Sequence, residues 1–221
     1  MPSLIKLPFL FLYALAIYFA NNRTYQSVPE KERPVKGFRE LIIPRIRLIT
    51  ELLTVATVAI EATLLIKQYH SLPANETGPL YVTPLSVLGC IMAMIAGYIR
   101  HRAIATMGPM FTLAVTIQDN HKLITHGPYG VVRHPAYTGA VIGLTGSVLY
   151  NFGPGSIMQA VITWSPIMPY FQAILFASLV WVGIVMSLRS GVEDKLLKQQ
   201  FGKEWENWAK KTPYRLFPYV Y

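Results

Sequence analysis

Long apolar runs separated by short polar stretches set the character of the chain. Runs at residues 4–20, 46–66 and 80–99 are each close to the ~20 residues a helix needs to cross a bilayer. A fourth run covers residues 137–152 and stops at Gly153-Pro154-Gly155. A fifth, residues 157–188, is longer and is broken by Pro166 and Pro169. Those prolines predict a kinked helix or a re-entrant piece. From Gly191 onward the chain is charged and amphipathic, with Pro213 and Pro218 near the end. The pattern predicts an all-α polytopic membrane protein with about five transmembrane helices. With no internal repeat or low-complexity tract, it reads as a single domain. Residues 1–99 hold three N-terminal membrane helices, and residues 100–221 hold most of the polar motifs. Ala14-Leu15-Ala16 has the form of a signal-cleavage site, but the apolar run continues to Ala20, so a retained first helix is expected.

Composition agrees. Apolar residues make up 52% of the 221, charged residues only 14%, and mean hydropathy is +0.36. That is too apolar for an ordinary soluble domain. The net charge of +9 raises nucleic acid as a partner, but no basic stripe interleaves with aromatics on a soluble element. Basic loops instead mark the cytoplasmic side of a membrane. The first loop carries Arg23, Lys31, Arg33, Lys36, Arg39, Arg45 and Arg47; the second, residues 71–79, carries no Lys or Arg. Arg100 and Arg102 open the third region, and six Lys and Arg residues between Lys195 and Arg215 follow in the tail. The first loop, the third region and the tail are therefore expected in the cytosol, and the N-terminus and second loop in the lumen. The sequon Asn75-Glu76-Thr77 falls in that lumenal loop. Cys90, the single cysteine, reads as a small packing residue. In the second run, Glu51, Thr54 and Glu61 share a helical face. They form either a polar stripe toward the bundle interior or two carboxylates near opposite interfaces.

Two clusters carry candidate chemistry. Residues 123–139 concentrate one Arg, two His, two Tyr, two Pro and three Gly beside membrane segments, more than a plain loop requires. Gly127-Pro128 marks a turn. Pro135 suits the first turn of a helix, which places His134 and Tyr137 at a helix start near the membrane surface. Helix N-termini favour anionic groups; His134 alone fits an N-cap-like structural role equally well. Arg133 is expected to position the turn or face lipid headgroups. The second cluster is Arg189-Ser190-Gly191-Val192-Glu193-Asp194. Arg189 and Glu193 share a helical face and could be a surface ion pair worth a few tenths of a kcal/mol. Arg189, however, closes a long apolar run, where an ionisable residue is a functional candidate, and its planar fork suits a carboxylate.

Together these clusters resemble the isoprenylcysteine carboxyl methyltransferases, membrane enzymes that methylate the prenylated C-terminal cysteine of processed CaaX proteins. The resemblance runs over residues 100–218. It includes Met107-Gly108, His121-Lys122-Leu123-Ile124, Gly127-Pro128-Tyr129, Arg133-His134-Pro135-Ala136-Tyr137-Thr138-Gly139, Arg189 with Glu193, Phe201-Gly202, and Pro213 with Arg215-Leu216. The His-Pro-x-Tyr block also resembles phospholipid N-methyltransferases. The family likeness implies a cytosolic pocket, formed by the C-terminal half, for the cofactor S-adenosylmethionine. Gln118, His121, Lys122, Leu123, Ile124, Tyr129, His134, Pro135, Ala136, Tyr137 and Glu193 would form it. Arg189 would hold the substrate carboxylate. The Gln118-to-His121 spacing is shorter than in the animal enzymes, and the acidic pair is Glu193-Asp194 rather than Glu-Glu. The likeness further implies prenylated proteins or prenylcysteine small molecules as partners, membrane lipid as surroundings, no nucleic acid and no metal, and the endoplasmic reticulum membrane as location.

Methyl transfer to a carboxylate needs no general base, because the acceptor is ionised at pH 7. The absence of a Ser-His-Asp or Cys-His set therefore does not argue against it. Three alternatives remain open: a lipid amine N-methyltransferase, which has no use for an Arg clamp; a non-catalytic membrane scaffold or transport component; and a nicotinamide-dependent reductase. Some sterol reductases share a related C-terminal half, although no Gly-x-Gly-x-x-Gly fingerprint is present.

Overall fold

The computed structural model describes residues 4–21, 38–73, 76, 78–112, 121–162 and 168–220. Gln118, Pro166, Asn75, Thr77 and the basic stretch 22–37 lie outside the described residues. Every regular element among the described residues is helical: α1 (Lys6–Asn21), α2 (Phe38–Ser71), α3 (Pro84–Met107), α4 (Pro135–Phe152), α5 (Ile157–Ile162), α6 (Met168–Phe201) and α7 (Lys203–Lys211). Short 3-10 turns at Gly108–Met110 and Gly127–Gly130 complete the list.

Several helices outrun the apolar patterns. α3 begins at a capping box in which Thr83 and Ser86 bond each other's backbone N–H, with Pro84 in the first turn. It continues past the expected end at Ile99 because Arg100 and Arg102 are good helix formers. It stops only at Gly108, which has a φ of +60° and precedes a proline. Of the fifth apolar run, the described residues form the six-residue α5 and the start of the 34-residue α6. Pro169, second in α6, sits where a missing N–H costs no helical bond. α6 then carries Arg189, Glu193 and Asp194 on without a break to Phe201.

Among the described residues, three stretches are long and apolar enough to cross a membrane: Glu51–Ser71, Pro84–Met110 and Phe176–Phe201. α1 is a shorter apolar helix. Leu52, Leu53, Val55, Ile60, Tyr98, Phe176, Trp181 and Leu188 are exposed. So much outward apolar surface marks a membrane protein. α3 and α4 approach closely through small residues: a Cβ on Gly146 would lie 2.7 Å from the Gly89 carbonyl oxygen.

The bundle has two ends of different make. At one, the fully buried Lys6 of α1 bonds the buried Glu61 of α2 and the Gly155 carbonyl after α4. Tyr13 and Tyr150 stack beside it at 4.5 Å. Of the two readings of the α2 stripe, Glu61 thus follows the inward one. At the other end, Arg100 of α3 donates to the Ala20 carbonyl of α1 and the Ala136 carbonyl of α4, both at 3.1 Å. The polar motifs gather at this second end.

Candidate functional site

Residues 121–134 cross that second end, and their geometry follows from their turn chemistry. Gly127, with a φ of +61°, starts the 3-10 turn with Pro128 behind it. The turn buries Tyr129, whose carbonyl accepts from the Trp208 indole of α7 at 3.1 Å. Pro135 is the first residue of α4 and His134 occupies its N-cap position. The His134 side chain makes no capping bond; its ring turns instead toward α6.

The C-terminal segment closes over this turn like a strap. The Arg133 and His134 N–H groups donate to the Tyr214 and Arg215 carbonyls at 3.0 and 2.9 Å. The Arg133 guanidinium donates to the Thr212 and Pro213 carbonyls at 2.9 and 2.8 Å, and Thr138 donates to the Leu216 carbonyl. Arg133 is buried, with its Nε and Nη2 on Asp194. It holds the turn and does not face headgroups.

A chain of polar contacts then links the two sequence clusters. Arg189 Nε donates to the Tyr137 hydroxyl at 2.8 Å, and that hydroxyl donates to Glu193 Oε2 at 2.8 Å. The Arg189 guanidinium lies 5.8 Å from the Tyr137 ring centroid. His134 stacks on the same ring at 5.6 Å. Its Nδ1 lies 3.6 Å from Glu193 Oε2 and its Nε2 3.1 Å from Asp194 Oδ1. Arg215 Nε completes the set, 3.2 Å from Asp194 Oδ2. Burial alone would lower the His134 pKa, but the Glu193 charge and the hydrogen bonds to Asp194 and Glu193 outweigh it and raise it to about 9. His134 is therefore an imidazolium at neutral pH, clamped between two carboxylates.

Arg133, His134, Tyr137, Arg189 and Glu193 border a cavity of about 220 Å³. His121, Lys122, Leu123, Ile124, Tyr129, His134, Ala136, Tyr137, Arg189 and Glu193 all line it. Pro135 is buried behind it at the start of α4. Met107, Met110, Phe111, Met186, Leu196, Leu197 and Trp208 make much of the remaining wall apolar. The cavity is amphiphilic: a cation and a carboxylate bridged by a phenol, set among oily side chains. His121 Nδ1 is buried and finds no partner among the described residues. Burial lowers the His121 pKa against the opposing pull of Glu193, so its ring is neutral and can serve a polar ligand. Burial likewise pushes the Tyr129 phenol up, keeping it protonated.

The sequence pattern did not announce some of this machinery. Arg100 lines the cavity and ties α1 to α4; its place at the end of an apolar run was the available signal. Asp194 read only as a neighbour of Glu193, yet it gathers Arg133, His134 and Arg215. No spacing rule connects residues 133 and 194. The Trp208 contact likewise depends on α7 folding back onto the turn.

The fold and site define an all-helical membrane protein with an amphiphilic cavity at one end of its bundle. Residues 87–197 match the isoprenylcysteine carboxyl methyltransferase family, and the chain belongs to it. It is 33% identical over 130 residues to a probable protein-S-isoprenylcysteine O-methyltransferase of Oryza sativa subsp. japonica, covering 58% of this chain and 59% of the rice protein. It is 32% identical over 131 residues to protein-S-isoprenylcysteine O-methyltransferase B of Arabidopsis thaliana, covering 58% and 57%. The match thus spans less than two thirds of these relatives. A Mus musculus Delta(14)-sterol reductase is 26% identical over 148 residues, covering 62% of this chain and 31% of the reductase.

Proposed function

We propose that the chain transfers a methyl group from S-adenosylmethionine to the C-terminal carboxylate of prenylated cysteine in processed CaaX proteins. The observation that carries this reading is the pairing of Arg189 and Glu193 across the Tyr137 hydroxyl inside one amphiphilic cavity. Bound S-adenosylmethionine supplies a methyl group on a cationic sulfur. Glu193 offers that positive charge a fixed carboxylate, and Tyr129 and Tyr137 offer aromatic surface. His121, Lys122, Leu123 and Ile124 supply an edge with both polar and apolar groups, and the unpartnered His121 Nδ1 supports a polar ligand there. Gln118, immediately upstream in sequence, joins them by family resemblance.

Arg189 would orient the acceptor carboxylate with its fork, and its bond to Tyr137 fixes that fork in direction. The work required of these residues is alignment and exclusion of water, and orientation can supply up to ~7–11 kcal/mol. The carboxylate loses charge as the methyl arrives, so Arg189 must hold it without over-stabilising the ion. A site at a helix-bundle end admits a polar donor from water and a prenyl chain from lipid. In this reading α1, α2, α3, α4 and α6 cross the endoplasmic reticulum membrane, with the cavity and C-terminus cytosolic and the N-terminus lumenal.

Purified full-length chain should form base-labile methyl ester on farnesylated cysteine and not on unprenylated cysteine. Label appearing in phospholipid instead would favour the lipid amine reading. The sterol reductase similarity supports a second reading: nicotinamide oxidation coupled to sterol reduction, with no label transfer, would replace methylation.

A further inference from the structure

A second concavity, of about 440 Å³, opens between α6, α7 and the C-terminal strap. Leu188, Val192, Lys195, Lys198, Trp205 and Arg215 line it. It is distinct from the cavity, although Asp194 and Arg215 of the polar chain form part of its lining.

Three observations converge here. First, Trp181, Ile184, Leu188 and Val192 are all exposed and share one face of α6 by their spacing. Lys195 continues that face, so it changes from apolar to cationic within one turn. A long apolar helix shows such a change where hydrocarbon gives way to headgroups. Second, Lys195, Lys198 and Arg215 place three cations around one concavity. Lys198 reaches Glu206 at 3.0 Å, and Arg215 shares Asp194 with Arg133 and His134. Third, the Trp205 indole N–H is buried and has no acceptor among the described residues, although Arg133 and Lys198 both lie over its ring at 5.8 Å. A buried donor of this kind calls for an explanation.

We propose that this concavity binds the phosphate headgroup of an anionic phospholipid. Lys195, Lys198 and Arg215 meet its charge, the Trp205 N–H supplies a neutral donor to a phosphate oxygen, and the acyl chains descend along Leu188 and Val192. The apolar stripe below the cations is what selects a lipid over a free phosphate ion. The site is separate from the proposed methyl-transfer cavity and its test needs no turnover.

Full-length chain extracted from bilayers of phosphatidylcholine with a minor share of phosphatidylglycerol of the same acyl chains should retain one phosphatidylglycerol in native mass spectra. The preference over phosphatidylcholine is expected to be about tenfold, the weight of one or two lysines near a membrane surface. The double variant Lys195→Ala/Lys198→Ala should lose it, and Trp205→Phe, which keeps the ring and removes the donor, should weaken it. The control Lys210→Ala/Lys211→Ala removes equal charge from the exposed end of α7 and should keep it. Equal retention of both lipids by the unmodified chain would overturn the proposal. So would an equal loss in the control, because the preference would then be net charge and not a site.

Discussion

The two ends of the helix bundle handle buried charge in opposite ways. At the Lys6 end, one ion pair and one carbonyl are knitted into a closed core, and Glu61 Oε2 and the Tyr150 hydroxyl find no partner among the described residues. At the cavity end, Arg133, His134, Tyr137, Arg189, Glu193, Asp194 and Arg215 share partners in a connected chain. Both ends pay for taking charge out of water. The first holds helices together and leads nowhere. The second keeps Arg133, His134, Tyr137, Arg189 and Glu193 fixed along the wall of a cavity, where a ligand can use them. Connected partners beside a cavity mark a place built for binding; an isolated pair in a closed core marks a tether.

The largest expected effect breaks the tether. Glu61→Ala leaves Lys6 buried without its carboxylate and should cost about 3–5 kcal/mol, read by denaturant unfolding in detergent. Lys6→Met/Glu61→Leu should recover most of that loss, since an apolar pair needs no compensation. Next, Arg189→Ala at the cavity end should lower methyl-ester formation about a hundredfold or more, with unfolding and S-adenosylmethionine affinity little changed. If both variants instead damaged folding alone, the contrast between the ends would collapse.

A pH series sharpens the same contrast at intermediate size. His134 has a pKa of about 9 against an ordinary 6.5, so its contribution to stability is complete below pH 6.5 and is lost as pH rises through 9. The melting temperature should therefore fall on that alkaline limb. Asp194→Asn should move its midpoint down by about one unit or more. An unmoved midpoint would show that Asp194 does not hold the imidazolium. Smallest of all, Lys198→Ala breaks a pair that is half-exposed on both sides and should change stability in detergent by no more than about 0.5 kcal/mol.

Much of this was legible in the sequence because its signals are local. Apolar runs found α1 and α4 closely at both ends and α3 at its start, and Pro135 gave the start of α4. Gly127-Pro128 gave the turn before it. The pocket residues came from family resemblance, and all the described ones but Pro135 line one cavity; Gln118 lies outside the described residues. What escaped depends on chain folding back on itself. Nothing near Asp194 says that Arg133 will reach it. Nothing near Lys6 says that Glu61 will. The apolar pattern also ended α3 and the fifth run too early, because charge ends a hydrophobic run without ending a helix.

The strap has a consequence for how the protein comes into being. Arg133 waits for a carbonyl 79 positions further along the chain, so the cavity wall is finished only when residues 212–216 return to it. Contacts between distant positions form late, after the loop between them has paid its closure entropy. α3 and α4, near neighbours in sequence, can pair first. A newborn chain would then spend time as a membrane bundle without a working pocket, and shortening it to end at Lys211 should leave it in that state. Maturation of the site thus waits on residues 212–216, far along the chain from the turn they close.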